Sequence, residues 1–161
     1  MLESSRIFLP RTAKVSQWMH LIWIVEGNRT PLFEAKRIPL IRFLFKACQA
    51  EDVYLDCANG TRDHLHLLLQ LPPDQTVAEL NQCLQELTRS WTERKENWGY
   101  PVEWSAAIRA YSVSPEKLAV VRRQIFRQAE RHQRQSLAQE LWELTQSPED
   151  QCLLAGSVEA A

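Results

Sequence analysis

The chain has 161 residues, of which 45% are hydrophobic and 24% charged, and its formal net charge is −1. These values are ordinary for a soluble globular protein and favour a single domain with a sizeable core. The sequence also excludes a membrane span, because no stretch reaches the roughly 18 consecutive apolar residues that a spanning helix needs. Four scattered cysteines without a C-x-x-C pair favour reduced thiols over a disulfide framework or a zinc site. Residues 1–6 lack the basic start and apolar run of an export signal, so we expect a cytoplasmic protein.

The near-neutral net charge hides two basic and two acidic segments. Residues 1–50 contain eight Lys and Arg against three Asp and Glu, and residues 104–140 contain seven against three. Residues 51–103 contain four basic against ten acidic side chains, and residues 141–161 contain four acidic side chains and no basic ones. Such asymmetry can give one face a positive field, although a committed DNA-binding protein is usually more basic overall. The charge therefore permits a nucleic-acid partner without indicating one.

The first half of the chain predicts a strand, a helix and a β-hairpin. Aromatic and branched residues followed by a Gly-Asn turn predict the first strand, and apolar positions at mostly helical spacing predict the helix. An Asn-Gly dipeptide, which is favoured in tight hairpins, predicts the turn between the next two strands. The elements are a strand at Trp18–Val25, a helix from Leu32 to about Ala50 with Pro39 early in it, a strand at Val53–Ala58 turning at Asn59-Gly60, and a strand at Asp63–Leu71.

The second half predicts a long amphipathic helix, a fourth strand and two further helices. The long helix follows from apolar residues spaced three and four apart. After the fourth strand, a Ser-Pro-Glu sequence supplies a cap, a proline in the first turn and an acid near a helix N-terminus. The elements are a helix at Thr76–Asn97, a strand at Trp104–Val113, a helix opened by Ser114-Pro115-Glu116 and running to about Gln133, and a helix at Ser136–Thr145.

The order strand, helix, strand, strand, helix, strand is that of the split βαβ, ferredoxin-like fold of the α+β class. It implies an antiparallel sheet with helices on one face plus the C-terminal helices, and it leaves the other face for a site. We predict one domain at residues 1–146 and a flexible acidic tail at residues 147–161. Because this fold hosts many functions, the site residues must indicate the function.

Two histidines in the third predicted strand form the most specific local pattern. His64 and His66 are separated by one residue. Because alternate residues of a strand point to the same face, the two imidazoles can converge on one ion. Two His ligands leave room for a hard divalent cation, completed by oxygen ligands and a substrate phosphate. An H-x-H pair by itself is also compatible with two ordinary strand histidines.

The predicted helix after the fourth strand carries amide side chains that such a cation could use. Gln124 and Gln128 are four residues apart and therefore stack on one face, at the border between an apolar stripe and a basic flank. A generic amphipathic helix with a solvated basic edge would give the same pattern. The apolar stripe comprises Leu118, Val121, Ile125 and Ala129, and the basic flank comprises Arg123, Arg127, Arg131 and Arg134.

Four segments of the chain resemble the single-tyrosine transposases of the His-hydrophobic-His (HUH) class, particularly the bacterial branch associated with repetitive extragenic palindromes. The similarity runs from about Trp18 to Leu144. The segment H-L-I-W is similar to the family's opening strand, and D-H-L-H-L-L-L-Q-L-P-P to its metal-binding strand. The segments A-Y-S-V-S-P and V-R-R-Q-I-F-R-Q-A-E-R-H resemble its last strand and its catalytic helix. The order of these segments, rather than any one of them, makes the resemblance specific.

The resemblance implies roles for particular residues. It assigns His64 and His66 to a divalent cation, Mg²⁺ or Mn²⁺, and Gln128 to a third ligand through its amide oxygen. The family's nucleophilic tyrosine stands four residues before that glutamine, where this chain has Gln124, a neutral carboxamide that cannot attack a phosphodiester. The other departures from the family pattern are Trp104-Ser105 in place of Trp-Gln and Arg131-His132 in place of His-His.

These residues predict a transposase-like protein, a monomer or homodimer, that binds a DNA hairpin and its flanking single strand and holds a metal ion but lacks covalent strand cleavage. Arg123, Arg127, Arg131 and basic residues of the first 50 would contact phosphate. Two alternatives stay open. One is an active transposase or endonuclease whose nucleophile is Tyr111, Tyr100 or a metal-activated water. The other is a non-catalytic ferredoxin-like module that binds RNA or protein.

Overall fold

The computed structural model of the chain describes residues 15–28 and 31–145. The chain divides into two compact units after Gln128. The predicted single domain at residues 1–146 stays a prediction, and the predicted tail at residues 147–161 lies outside the described residues. In chain order the elements are β1 (Trp18–Ile24), α1 (Glu34–Ala50), β2 (Tyr54–Gly60), β3 (His64–Gln70), α2 (Val77–Glu93), β4 (Ala110–Val113), α3 (Leu118–Phe126), α4 (Gln128–Arg131) and α5 (Leu137–Thr145), with short 3₁₀ turns at Glu26–Asn28 and Pro115–Lys117.

The four strands form one antiparallel sheet in the order β2-β3-β1-β4. β1 pairs along its whole length with β3, from Trp18 opposite Gln70 to Ile24 opposite His64. β2 and β3 are the arms of a hairpin, and β4 pairs with the first half of β1. This strand order, with α1 and α2 as the two connections, is that of the split βαβ arrangement. The predicted ferredoxin-like α+β fold is therefore confirmed. Among the described residues, no helix combines the length and the apolar composition needed to cross a membrane.

The main apolar core lies between one face of the sheet and the helices α1 and α2. On β3 the alternate residues Leu65, Leu67 and Leu69 are buried in this core, because side chains two apart on a strand share a face. Leu44 of α1 and Leu84 of α2 are buried in the same cluster. Since complete burial of a leucine side chain is worth about 2 kcal/mol, this layer holds the two helices against the sheet.

Side-chain hydrogen bonds set the start of α2. The Thr76 hydroxyl oxygen accepts the backbone N–H of Glu79, and the Glu79 carboxylate accepts the backbone N–H of Thr76. This reciprocal capping box satisfies two donors that a helix N-terminus otherwise leaves without a partner. The helix ends at Glu93, four residues before the predicted end at Asn97.

The fourth strand is shorter than the predicted strand at Trp104–Val113, since only Ala110–Val113 pairs as a strand. Trp104 instead forms an isolated bridge with Val25. Its indole N–H donates to the Thr88 hydroxyl of α2 at 2.9 Å, and the nearby Thr92 hydroxyl accepts the backbone N–H of Val102. These bonds to α2 tie the segment to the helix layer, so continuous strand pairing begins only at Ala110.

The β2–β3 hairpin turns later than the Asn59-Gly60 dipeptide predicts. Gly60 is the last residue of β2, and residues 61–63 connect the strands. A Cβ atom at Gly60 would lie 2.1 Å from the carbonyl oxygen of His64. Glycine is therefore required here because two backbones approach closely, and not because the position forms the turn itself.

α3, one of the predicted C-terminal helices, packs on the other face of the sheet. A small apolar cluster joins Ile125 of α3 to Cys57 of β2 and Leu68 of β3. The Arg122 guanidinium also donates two hydrogen bonds to the Asp56 carboxylate of β2, at 2.7 and 2.9 Å. Such a bidentate pair adds directional specificity to the apolar contact. α3 is thus held to the hairpin at a defined angle.

Candidate metal site

His64 and His66 lie on the face of the sheet opposite the leucine core. Both are fully buried, at 0% exposure, while the intervening Leu65 is buried in the core on the other face. The centroids of the two imidazole rings are 4.9 Å apart, with the ring planes at 80°. The structure therefore places the two predicted metal ligands side by side and outside the main apolar core.

Polar partners set the orientation of the His64 ring. Its Nδ1 lies 2.7 Å from the Asp63 carboxylate and 3.0 Å from the Thr61 hydroxyl, which itself donates to Asp63 at 2.8 Å. Partial burial acts to raise the pKa of Asp63, but the hydrogen bonds with His64 and Thr61 hold that pKa below its usual value. An ionised carboxylate keeps a proton on Nδ1, so the neutral imidazole carries its lone pair on Nε2. Metal-binding histidines commonly have this carboxylate support.

Gln128 brings an amide oxygen to His64. The Gln128 side chain is buried, and its Oε1 lies 3.4 Å from His64 Nε2. Its amide nitrogen donates to the backbone carbonyl of Gln124 at 3.3 Å, which indicates which end of the carboxamide faces the histidine. With the proton on Nδ1, His64 Nε2 and Gln128 Oε1 both point lone pairs at the space between them. A bound cation could accept both lone pairs.

A break in the helix produces this position of Gln128. The predicted helix running to about Gln133 ends at Phe126, because Arg127 adopts φ −95° and ψ 20° as the C-cap, and α4 begins at Gln128. The break changes which residues are buried. The predicted apolar stripe holds for Leu118, Val121 and Ile125, which pack in the cluster under α3. It fails at Ala129, which is exposed, while Gln128 is buried.

His20 of β1 lies beside His66, and the sequence did not indicate it as a site residue. It is buried, and its Nε2 lies 2.8 Å from Nδ1 of His66, with the two rings stacked at 5.1 Å. Because Nδ1 of His66 takes part in this bond, a metal bound by His66 would use Nε2. The available signal was strand alternation, since His20 alternates with the core residues Leu21 and Trp23, but its contact with His66 depends on the β1–β3 register.

The residues considered for nucleophilic attack have different surroundings. Gln124 is half-buried in α3, one turn before Gln128. Tyr111 of β4 is half-buried with its ring centroid 6.4 Å from that of His20. Burial raises the pKa of the Tyr111 phenol, with Arg109 opposing the rise. Tyr100 accepts a hydrogen bond from Lys36 of α1 and so belongs to the helical side of the sheet. Of the two tyrosines, Tyr111 is the one that reaches the histidine face.

The predicted DNA-binding arginines differ in their contacts. Arg123 and Arg127, in α3 and directly after it, are exposed. Arg131 lies in the second unit, where its guanidinium is 3.5 Å from the Glu140 carboxylate and 3.8 Å from that of Glu143. Glu140 is buried and also lies 3.1 Å from Nε2 of His132, a contact that the sequence did not predict. Arg131 therefore neutralises acidic groups of its own unit, whereas Arg123 is an exposed residue.

Comparison with known proteins gives a family. Residues 13–128 match the model of the IS200-like transposases. A protein from Deinococcus radiodurans described as a candidate transposase has a similar structure, with 19% sequence identity and a TM-score of 0.55 over 76% of this chain and 98% of that chain. A REP-associated tyrosine transposase bound to a REP hairpin is similar at 11% identity and a TM-score of 0.57, over 78% of this chain and 74% of that chain. Among curated proteins, none matches the chain.

The two structural relatives, at these identities, establish the fold alone. The family match, by contrast, establishes family membership, because residues 13–128 are well over half of the chain. The chain therefore belongs to the IS200-like transposase family, and the resemblance found in its sequence is confirmed.

Proposed function

We propose that this member of the IS200-like transposase family binds hairpin DNA and its flanking single strand, and holds a divalent cation, Mg²⁺ or Mn²⁺, at His64, His66 and Gln128. We further propose that it forms no covalent link to the DNA. The observation that best supports the metal site is the approach of the Gln128 amide oxygen to His64 Nε2, at 3.4 Å. Both side chains are buried, and in this tautomer both atoms can direct lone pairs to one cation.

The donor set fits a hard divalent cation of modest affinity. Two neutral imidazoles and one amide oxygen contribute no negative charge, so a substrate phosphate would complete both the coordination and the charge balance. A bound cation would supply stabilisation of the charge on a phosphate oxygen. The chain's own part is to orient the ligands, through Asp63 on His64 and His20 on His66. Residues that support ligands in this way commonly matter for metal affinity.

The proposed DNA contacts rest on the exposed arginines beside this site. Arg123 and Arg127 are exposed on and directly after α3, the helix that precedes Gln128. A guanidinium in this position would neutralise backbone phosphate and would make binding depend on salt. Arg131 is also proposed as a contact, although its ion pairs with Glu140 and Glu143 would have to be exchanged for phosphate. A structural relative bound to a REP hairpin supports DNA as the class of partner.

The absence of covalent cleavage is proposed because Gln124 stands where the family has its tyrosine. A carboxamide is neutral and a poor nucleophile, so metal and DNA would be bound without attack by this residue.

The second candidate function is that of an active enzyme whose nucleophile is Tyr111. The observation favouring it is the proximity of the Tyr111 ring to His20. The raised pKa of the Tyr111 phenol makes the phenolate harder to form, which is an argument against this second function.

The metal proposal is tested by titrating Mn²⁺ into the protein with a hairpin oligonucleotide present, and following free Mn²⁺ by electron paramagnetic resonance. We expect Gln128→Leu to weaken Mn²⁺ binding by at least about tenfold, since even residues that only support a ligand are worth that much. Gln82→Leu is the matched control, because Gln82 is an exposed glutamine of α2. Equal affinity of the Gln128 variant and the wild type would reject Gln128 as a ligand.

The cleavage proposal is tested on the same DNA in Mg²⁺ or Mn²⁺, by denaturing electrophoresis. We expect no protein–DNA adduct that survives the denaturant. An adduct mapped to Tyr111 by peptide mass spectrometry would contradict the proposal and establish the active alternative.

A further inference from the structure

Asn59 connects the end of β2 to the end of α3. Its side-chain nitrogen Nδ2 donates to the backbone carbonyls of Ile125 and Phe126, at 3.1 and 3.2 Å. These carbonyls belong to the last turn of α3, where helix carbonyls have no partner within the helix. One carboxamide on a strand therefore caps the C-terminus of a helix that is 66 residues away in sequence.

The position of Asn59 in the sheet brings this cap next to the histidines. In the β2–β3 ladder Asn59 lies opposite His66, so the two side chains share a face of the sheet. The capped residue Phe126 is followed, after the break at Arg127, by Gln128, whose oxygen lies 3.4 Å from His64. β3 pairs with β2, Asn59 of β2 contacts the end of α3, and Gln128, just after α3, contacts His64 of β3.

We propose that Asn59 is a positioning residue for the candidate metal site. By bonding the last carbonyls of α3 it ends that helix at Phe126, and it thereby holds the Gln128 amide oxygen against His64. The Arg122–Asp56 ion pair holds the middle of α3 to β2, but it lies a full turn before the helix end. Asn59 contacts the last turn of α3, directly before the break. The effect on metal binding rests on the proposed function, whereas the effect on the helix end concerns the protein without metal.

Asn97 offers a matched control for this role. Its side-chain nitrogen donates to the carbonyl of Trp91 in the last turn of α2, at 2.7 Å. Both asparagines donate to carbonyls in the last turn of a helix, Asn97 to one and Asn59 to two. However, α2 packs on the leucine core rather than on the histidine face. Replacing either asparagine removes a C-terminal cap, so a general loss of stability should be common to both variants, while only the Asn59 variant should disturb Gln128.

The test compares Asn59→Ala, Asn97→Ala and the wild type. Both variants should lower Tm by about 2–4 °C, as expected for loss of a cap worth about one hydrogen bond. In metal-free protein, hydrogen exchange followed by mass spectrometry should accelerate at residues 123–128 in Asn59→Ala alone. With hairpin DNA present, Asn59→Ala should weaken Mn²⁺ binding by about 10- to 100-fold, the range typical of residues that support a ligand, while Asn97→Ala should leave it unchanged.

Unchanged exchange at residues 123–128 in Asn59→Ala would overturn the proposal, as would wild-type Mn²⁺ affinity in that variant. If the wild type itself binds no Mn²⁺, the proposed function fails, and the exchange measurement still decides whether Asn59 holds the helix end. Should Asn59→Ala fail to fold, Asn59→Ser takes its place, because a serine hydroxyl is too short to reach both carbonyls.

Discussion

Gly60→Ala would place a methyl group against the backbone of the facing strand. The added Cβ would lie 2.1 Å from the carbonyl oxygen of His64 and 2.9 Å from the Cα of Leu65. Both contacts are to backbone, so neither can be relieved by rotating a side chain. The overlap with the carbonyl exceeds about 1 Å, and the end of the β2–β3 ladder, where Gly60 pairs with Leu65, must open.

The expected loss of stability in Gly60→Ala combines two contributions. Overpacking of a tight position costs about 1–3 kcal/mol, and each ladder hydrogen bond lost costs about 1 kcal/mol. We therefore expect Gly60→Ala to lower the free energy of unfolding by about 3–5 kcal/mol, measured by urea denaturation, with a fall in Tm of about 10 °C. Because the carbonyl that the new methyl group would displace belongs to His64, binding of Mn²⁺ should weaken as well.

Gly99→Ala separates steric overlap from backbone strain. Gly99 has a φ of +75°, where a side chain is disfavoured, but the nearest atom to an added Cβ would be 3.9 Å away. Its replacement should therefore cost only about 1–2 kcal/mol. If Gly60→Ala proved as mild as Gly99→Ala, the close approach of the two strands at Gly60 would be refuted.

Three further predictions concern the site. Gln124→Tyr places a phenol one turn before Gln128. With hairpin DNA and Mn²⁺, this variant should form an adduct that survives on a denaturing gel. If the variant binds metal but forms no adduct, more than the tyrosine is missing. Asp63→Asn should flatten the dependence of stability on pH in acid. Because the folded pKa of Asp63 lies below its ordinary value of 3.8, its stabilisation is present above that value and is lost as the pH falls through the folded pKa. An unchanged difference from wild type between about pH 5 and pH 2 would contradict this. Arg123→Ala should reduce by about 1 the slope of log affinity for hairpin DNA against log salt, and an unchanged slope would remove Arg123 from the DNA contacts.

Local patterns in the sequence determined much of this fold. The alternation of leucine with histidine on β3 predicts a strand whose two faces differ, because side-chain direction reverses at every residue. The Ser-Pro-Glu segment at residues 114–116 predicts a helix start, and the structure has a 3₁₀ turn at Pro115–Lys117 leading into α3. The order of strands and helices then leaves few topologies, and the sheet order β2-β3-β1-β4 is the expected one.

Long-range contacts decided where the elements end. Asn59-Gly60 is a favoured turn dipeptide, but the approach of the His64 carbonyl makes Gly60 a strand residue. The helix pattern runs beyond Phe126 without interruption in sequence, and Asn59 contacts its last turn from a distant strand. Neither contact has a local signal, because each depends on which residues the sheet register brings together.

In the candidate site, too, some features follow from the sequence and others depend on the tertiary structure. The shared face of His64 and His66 was predictable from the sequence alone, since an i, i+2 pair on a strand points the same way. The relation of His20 to His66 could not be read from the sequence, because it is diagonal across two strands and requires their register. Burial of Gln128 in place of Ala129 also required the structure, because the break at Arg127 shifts the helical pattern. The sequence thus determined which residue types are present on each strand and helix, and tertiary packing decided which of their atoms meet.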